Sequence, residues 1–206
     1  VQDLRTSHEN LQVICIDKQS GRANAHNVSA ENCLTEFMVF TDAETRFDKF
    51  TLISLLSPFK NSKVGFVSGE LNYFNAGDNK LTQSVDLYWI FERFLRRLES
   101  LLGVFAFGTG ACCAVRRSFY KEIPPTGDVD FTLPLDVILK GYSCVYQSSA
   151  LAWDEMPDTN DSEFKARVRM TSKNFHGTVT RWGIMGVILH PVYTWVILSH
   201  KIGRWL

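Results

Sequence analysis

Residues 36–44 read EFMVFTDAE, and they decide the fold class. Glu36 to Thr41 is a short apolar run with a β-branched centre, the mark of a buried strand, and it ends on Asp42-Ala43-Glu44. On the N-terminal side, Leu11 to Ile16 (LQVICI) reads as another buried strand, and a turn at Gly21 opens a helix from Ala23 to about Asn32. On the C-terminal side a helix is predicted from Phe47 to about Leu56, stopped by Pro58, and Lys63 to Leu71 reads as a third strand. Strand, helix, strand, helix, strand predicts an α/β fold, a mixed and mostly parallel sheet covered by helices.

Further along, Lys80 to Leu102 carries Leu81, Val85, Tyr88, Phe91, Leu95, Leu98 and Leu102 at three- and four-residue steps. That spacing predicts one long helix with a core-facing apolar stripe, ended by Gly103. Tyr88 and Glu92 on it suit either a stripe with a flanking charge or a backing for a site. Phe107 to Arg117 (FGTGACCAVRR) is rich in small residues and then basic, as a loop or strand passing close to a ligand would be. Asp130 to Gly141 (DFTLPLDVILKG) reads as a helix with Pro134 tolerated in its first turn, Ser143 to Ala150 as a strand, and Ser162 to Asn174 as a basic helix.

The chain has 206 residues, with 22 Lys+Arg against 22 Asp+Glu, so it lacks the basic excess expected of a nucleic-acid binder. Fifteen Phe and 21% charged residues exclude a disordered chain. Five cysteines without a CxxC, and no His at ligand spacing, argue against a disulfide framework or a zinc site. Residue 1 is Val, which suggests a cut or processed start. Gly183 to Ser199 runs 17 residues without Asp, Glu, Lys or Arg, interrupted by His190 and Pro191. With Trp182, Tyr193, Trp195 and Trp205 among aliphatics, residues 181–206 read as a membrane-proximal amphipathic segment lying at the interface. A buried amphipathic helix would show the same pattern. Residues 1–180 are then one domain.

Three constellations carry chemistry. Asp42 and Glu44, one residue apart at a strand end, suit a hard divalent cation shared with phosphate oxygens, and equally suit a turn or helix cap. Asp128-Val129-Asp130 precedes a helix, so an aspartate there is a cap or, in Asp130, a rigidly held general base. Lys165, Arg167, Arg169 and Lys173 make either a solvated basic helix or a clamp for a pyrophosphate, whose oxygens match guanidinium forks.

The order of these elements resembles the family 2 glycosyltransferases, the superfamily of cellulose, chitin and hyaluronan synthases. Gly21, Ala23, Ala25 and Asn27 match its G-K-A-x-A-L-N, with Arg22 for Lys and His26 for Leu. Asp42 matches the first carboxylate of its D-x-D, with Glu44 at the second. GTGACCAVRR corresponds to its glycine-rich segment ending in paired arginines. Asp130, followed by F-T-L-P-L and G-Y, aligns with its base, Val129 standing where an acid is usual. Arg167 and Arg169 fall on the arginines of its Q-R-x-R-W, with Ala166 and Met170 at the Gln and Trp positions. The resemblance covers nearly the whole chain from about Leu11.

The resemblance implies a GT-A type, Rossmann-like fold. It also implies an inverting enzyme that moves a sugar from a UDP- or GDP-sugar to a saccharide or lipid acceptor at the cytoplasmic face of the cell membrane. Asp130 would be the catalytic base, and Asp42 and Glu44 would hold Mg²⁺ or Mn²⁺. Arg22, Arg167, Arg169 and Lys173 would face the donor diphosphate, and Gly110, Arg116, Arg117 and Glu155 the acceptor side. The family's nucleotide-base-binding strand is not found before Gly21, so a fragment of a longer enzyme is expected. The alternative is a catalytically inactive, membrane-associated relative serving as an assembly subunit.

Overall fold

The computed structural model describes residues 10–16, 21–74, 82–105, 107–155 and 178–199. Helix α1 (Gly21–Asn32) and strand β1 (Phe37–Phe40) lie where the sequence places them. The two-residue strand β2 (Arg46–Phe47) and the short helix α2 (Thr51–Leu56) follow, and then β3 (Val64–Tyr73). The long helix α3 (Thr82–Leu101) ends at Gly103, whose φ of 71° only glycine adopts freely. Strand β4 (Cys113–Arg116), helix α4 (Val129–Leu139), strand β5 (Ser143–Asp154) and helices α5 (Gly183–Leu189) and α6 (Pro191–Ile197) complete the described chain.

The five strands form one mixed sheet in the order β1-β4-β3-β5-β2. The sheet departs from the mostly parallel arrangement expected, since β3 with β5 is the only parallel pair in it. The reason is β4. Hidden in the glycine-rich segment, it inserts between β1 and β3 and runs against both, with Phe40 opposite Cys113 and Phe66 opposite Val115. The two-residue period then sorts its side chains. Cys113 and Val115 join Phe66 in the core shared with α1 and α4, while Cys112 and Ala114 join Val67 in the core under α2.

Other expectations are corrected. Leu11 to Ile16 forms no strand and is largely exposed, because no described strand pairs with it and an apolar run alone cannot satisfy its backbone. Phe47 belongs to β2 rather than a helix. Asp48 makes the turn that delays α2, its carboxylate accepting from the Phe50 N–H at 3.1 Å and its carbonyl from the Thr51 N–H at 3.0 Å. Pro134 sits in the second turn of α4, not the first. The stripe on α3 points the wrong way for a core. Phe91, Leu98 and Leu102 are exposed while Glu99 is buried, since the sheet surface beneath offers the polar groups of Ser68 and Glu70. Leu81 and the side chains of Val85 and Tyr88 lie outside the described residues.

The segment after residue 180 packs into the same core as the sheet. Trp182 and Tyr193 are buried there, so they are not the interfacial aromatics the sequence suggested, whereas Trp195 is exposed. Arg181 pairs with buried Asp136 at 3.2 Å and also donates to the Glu122 carbonyl. Pro191 separates α5 from α6, and among the described residues no helix is long and apolar enough to cross a membrane.

One glycine fixes the sheet's centre. A Cβ on Gly69 would sit 2.4 Å from the Cys112 sulfur and 2.6 Å from the Ala150 carbonyl oxygen, where β5 carries extra residues between Tyr146 and Leu151. Gly69→Ala should therefore destabilise the fold by about 1–3 kcal/mol, the usual overpacking cost, read as a lower urea midpoint.

Candidate active site

Four segments converge at the end of the sheet where β1 leaves and β4 begins. Asp42 follows β1. Arg22 and His26 stand on the first turns of α1, above that strand end. Asp128 and Asp130 open α4, and the 107–112 loop runs beside them. Small residues set these distances: Ala23 and Ala30 let α1 lie close to the sheet. Asn27 anchors it, its amide donating to the Ile123 carbonyl at 2.9 Å. Its oxygen accepts from the Ile123 N–H at 2.9 Å and the Tyr120 hydroxyl at 2.7 Å.

Asp130 is placed through its backbone. Proline has no N–H, so Pro134 leaves the Asp130 carbonyl without its usual helical donor. The Gly108 N–H takes that carbonyl at 2.8 Å and ties the loop to the head of α4. The approach needs glycine, because a Cβ on Gly108 would meet the Phe66 ring at 2.7 Å. Two residues on, a Cβ on Gly110 would lie 3.7 Å from the Asp130 carboxyl carbon, an ordinary contact. The bare Gly110 backbone thus lies directly beside that carboxylate. Asp128 occupies the N-cap position of α4, but its side chain makes no capping hydrogen bond.

Charges meet here. Arg22 lies 3.8 Å from Asp42, a largely exposed pair worth about 0–1 kcal/mol that a ligand can easily separate. His26 packs edge-on against Phe40, with ring centroids 5.3 Å apart, and its Nδ1 is buried without a partner among the described residues. Burial and the Arg22 guanidinium hold its pKa below the ordinary value, against the opposing pull of Asp42 and Asp128. Cys113, wholly buried, has its thiol pushed well up by burial and then by Asp130, Cys112 and Asp42. The carboxylates that read as metal ligand and as base therefore share one local field.

The structure brings Arg22, Asp42, Gly110 and Asp130 together. Glu44, two residues past Asp42, is exposed, and Glu155 lies on the same edge of the sheet, beyond the end of β5. Arg116 and Arg117 are at the opposite end of β4. Arg116 donates to Glu36 at 2.7 Å, the Val64 carbonyl at 3.0 Å and the Phe59 carbonyl at 2.5 Å, stapling the starts of β1 and β3. A cavity of about 770 Å³ opens there, lined by Glu31, Met38, Arg117 and Tyr120. The titratable groups converge instead at the Asp42 edge, which makes that edge the candidate site. Arg167, Arg169 and Lys173 lie outside the described residues.

Of the polar network behind the loop, the sequence offered only Glu92, as one alternative. The Thr109 N–H donates to the Ser68 hydroxyl at 2.9 Å, the Arg96 guanidinium to the Thr109 hydroxyl at 3.4 Å, and Arg96 also bonds Glu92 at 3.3 Å. Buried Glu70 pairs with Arg93 at 3.7 Å, its pKa raised by burial against the arginines around it. The signal was Glu92 and Arg96 four apart, one helical turn, with Arg93 beside them.

Part-buried Asp42 and exposed Glu44 offer the hard oxygen donors that a divalent cation prefers, so the residue types fit one. Among the described residues no group of three or more His, Cys, Asp or Glu forms a closed cage. A cation here would complete its shell with ligand or water oxygens.

Residues 1–172 match the family model described as glycosyltransferase like family 2. An N-acetylglucosaminyltransferase of Rhizobium meliloti is 22% identical across 94% of this chain and 48% of its own length. A poly-β-1,6-N-acetyl-D-glucosamine synthase of Staphylococcus epidermidis is 25% identical across 82% of this chain and 42% of its own. The chain thus spans about half the length of the curated relatives it matches. Among solved structures, a mannosyltransferase of Pyrobaculum calidifontis in complex with GDP-Man and Mn²⁺ superimposes with a TM-score of 0.63. It covers 85% of this chain and 50% of that one at 18% identity, a likeness of fold.

Two outcomes check the geometry. Gly108→Ala should lower stability by about 1–3 kcal/mol, while Gly110→Ala leaves the unfolding midpoint nearly unchanged. Because the folded pKa of His26 is depressed, the unfolded chain binds its proton first. Stability should then fall as pH drops below 6.5, and His26→Gln should flatten that part of the pH profile in thermal melts.

Proposed function

The chain belongs to the glycosyltransferase like family 2, and from that membership we propose that it carries the catalytic part of an inverting transferase. The enzyme moves a sugar from a UDP- or GDP-sugar to a hydroxyl of a saccharide or lipid acceptor. The observation that carries the reading is Asp130, fixed by its own carbonyl to Gly108 with its carboxylate beside the side-chain-free backbone of Gly110.

In this reading the Asp130 carboxylate takes the proton from the acceptor hydroxyl as that oxygen attacks the anomeric carbon. The C–O bond to the diphosphate breaks on the opposite side, and the proton stays on Asp130. Gly110 leaves room for the acceptor, and Glu155 borders it from the end of β5. Arg22 turns from Asp42 to the departing diphosphate, where negative charge grows, and Arg167, Arg169 and Lys173 add to that positive field. Asp42 and Glu44 would hold the Mg²⁺ or Mn²⁺, which when bound supplies charge neutralisation on the diphosphate. The Mn²⁺ in the Pyrobaculum calidifontis mannosyltransferase complex supports this choice of metal.

The protein works at the cytoplasmic membrane face, held there by the C-terminal helices. Support comes from Ile184, Met185, Ile188 and Trp195, which are exposed in a stretch without formal charge.

Asp130→Asn should lower transfer roughly 10²–10⁴-fold while donor binding, read by calorimetry with UDP- and GDP-sugars, stays near that of the parent. Asp42→Asn should instead raise the Mn²⁺ concentration needed for transfer. Parent-like turnover by Asp130→Asn would overturn the assignment.

A further inference from the structure

Helix α3 is inside out. Its apolar residues Ile90, Phe91, Phe94, Leu98, Leu101 and Leu102 are 41% to 84% exposed. Its charged residues Glu92, Arg96 and Glu99 turn toward the sheet, where Arg96 reaches Thr109 and Glu92. A helix with that pattern normally buries the apolar face. Here the positions 90, 91, 94, 98, 101 and 102 make one outward stripe, too large an apolar area to leave in water without purpose.

Charge says what meets it. Arg97 is exposed beside the stripe and Arg93, though paired with Glu70, is 40% exposed there, whereas both described carboxylates of the helix, Glu92 and Glu99, point inward. The outward face is therefore apolar flanked by cations, the composition of a helix lying in an anionic lipid interface. The stripe also continues into a second surface. Gly103 and Val104, just past its end, line a cavity of about 370 Å³ together with Leu189, Val192 and Tyr193 from α5–α6. On that second surface Leu189, Val192 and Trp195 are exposed, and no acid occurs from residue 180 to residue 199. Two apolar surfaces distant in sequence meet at one place, with no acid exposed among their described side chains.

We infer that the outer face of α3 is a second membrane contact, docking beside α5–α6 on an anionic lipid surface. The inference rests on the membrane reading above and adds to it a leg that no C-terminal segment supplies. It also places the lipid one helix thickness from the catalytic loop, since the inner face of the same helix holds Thr109.

Flotation of the chain with phosphatidylcholine–phosphatidylglycerol vesicles, and with phosphatidylcholine alone, tests it. The parent should float with the anionic vesicles. Phe94→Ser/Leu101→Ser should bind them about tenfold or more weakly. Arg97→Glu should weaken binding to the anionic vesicles only. Ile188→Ser/Trp195→Ser should weaken it separately. All these side chains are exposed, and unchanged circular dichroism and melting point establish that the variants fold. If Phe94→Ser/Leu101→Ser floats as the parent does, the α3 contact is refuted and the C-terminal one stands. If the parent floats with neither vesicle, the membrane reading fails and this contact with it. If light scattering finds a parent dimer that Phe94→Ser/Leu101→Ser converts to monomer, the face is a self-interface and the lipid contact is overturned.

Discussion

A single backbone hydrogen bond, Gly108 N–H to the Asp130 carbonyl, organises the working end of this molecule. It exists because two residues lack something. Pro134 has no N–H to claim that carbonyl, and Gly108 has no Cβ to strike Phe66. The loop thereby becomes part of the helix it faces. Thr109 is placed to donate to Ser68, and the loop delivers Cys112 and Cys113 into β4. Without this bond, the strand that divides β1 from β3 would start from a loose end.

The insertion of β4 is also where legibility in the sequence stopped. The strands at 37–40 and 64–73 and the helices at 21–32 and 129–139 announce themselves by composition and by the turn residues beside them. Strand direction does not, because alternation reports which face is buried and says nothing of the neighbour's sense. LQVICI failed for the complementary reason: its residues suit a strand, but a strand is a relation between two segments. The order of motifs identified the family nonetheless, since that order constrains topology even where pairing is hidden.

At the site, carboxylates and glycines were legible while their supports were not. Asp42 and Asp130 stand at element ends, where side-chain chemistry is free of packing duties, so residue type carried the signal. Arg116 illustrates the limit: a guanidinium that would suit an acceptor also suits three partners at the far end of the strand, where the structure bonds it. Asn27 lies inside a motif read as functional, and its amide serves to hold α1 to the 120–123 loop.

The α3 stripe shows why hydrophobic periodicity fixes an element but not its orientation. Apolar residues at helical spacing predicted the helix correctly, and the core was assumed to own the apolar face. The sheet beneath presents Ser68, buried Glu70 and the Thr109 hydroxyl, groups that would go unsatisfied under leucines. Burying Glu92, Arg96 and Glu99 there answers a polar surface with polar partners. The apolar face must then find a medium outside the domain. The same polar demand that props up the 107–112 loop from behind thus turns the apolar side of the helix outward, so the candidate site and the proposed lipid contact would be two faces of one element.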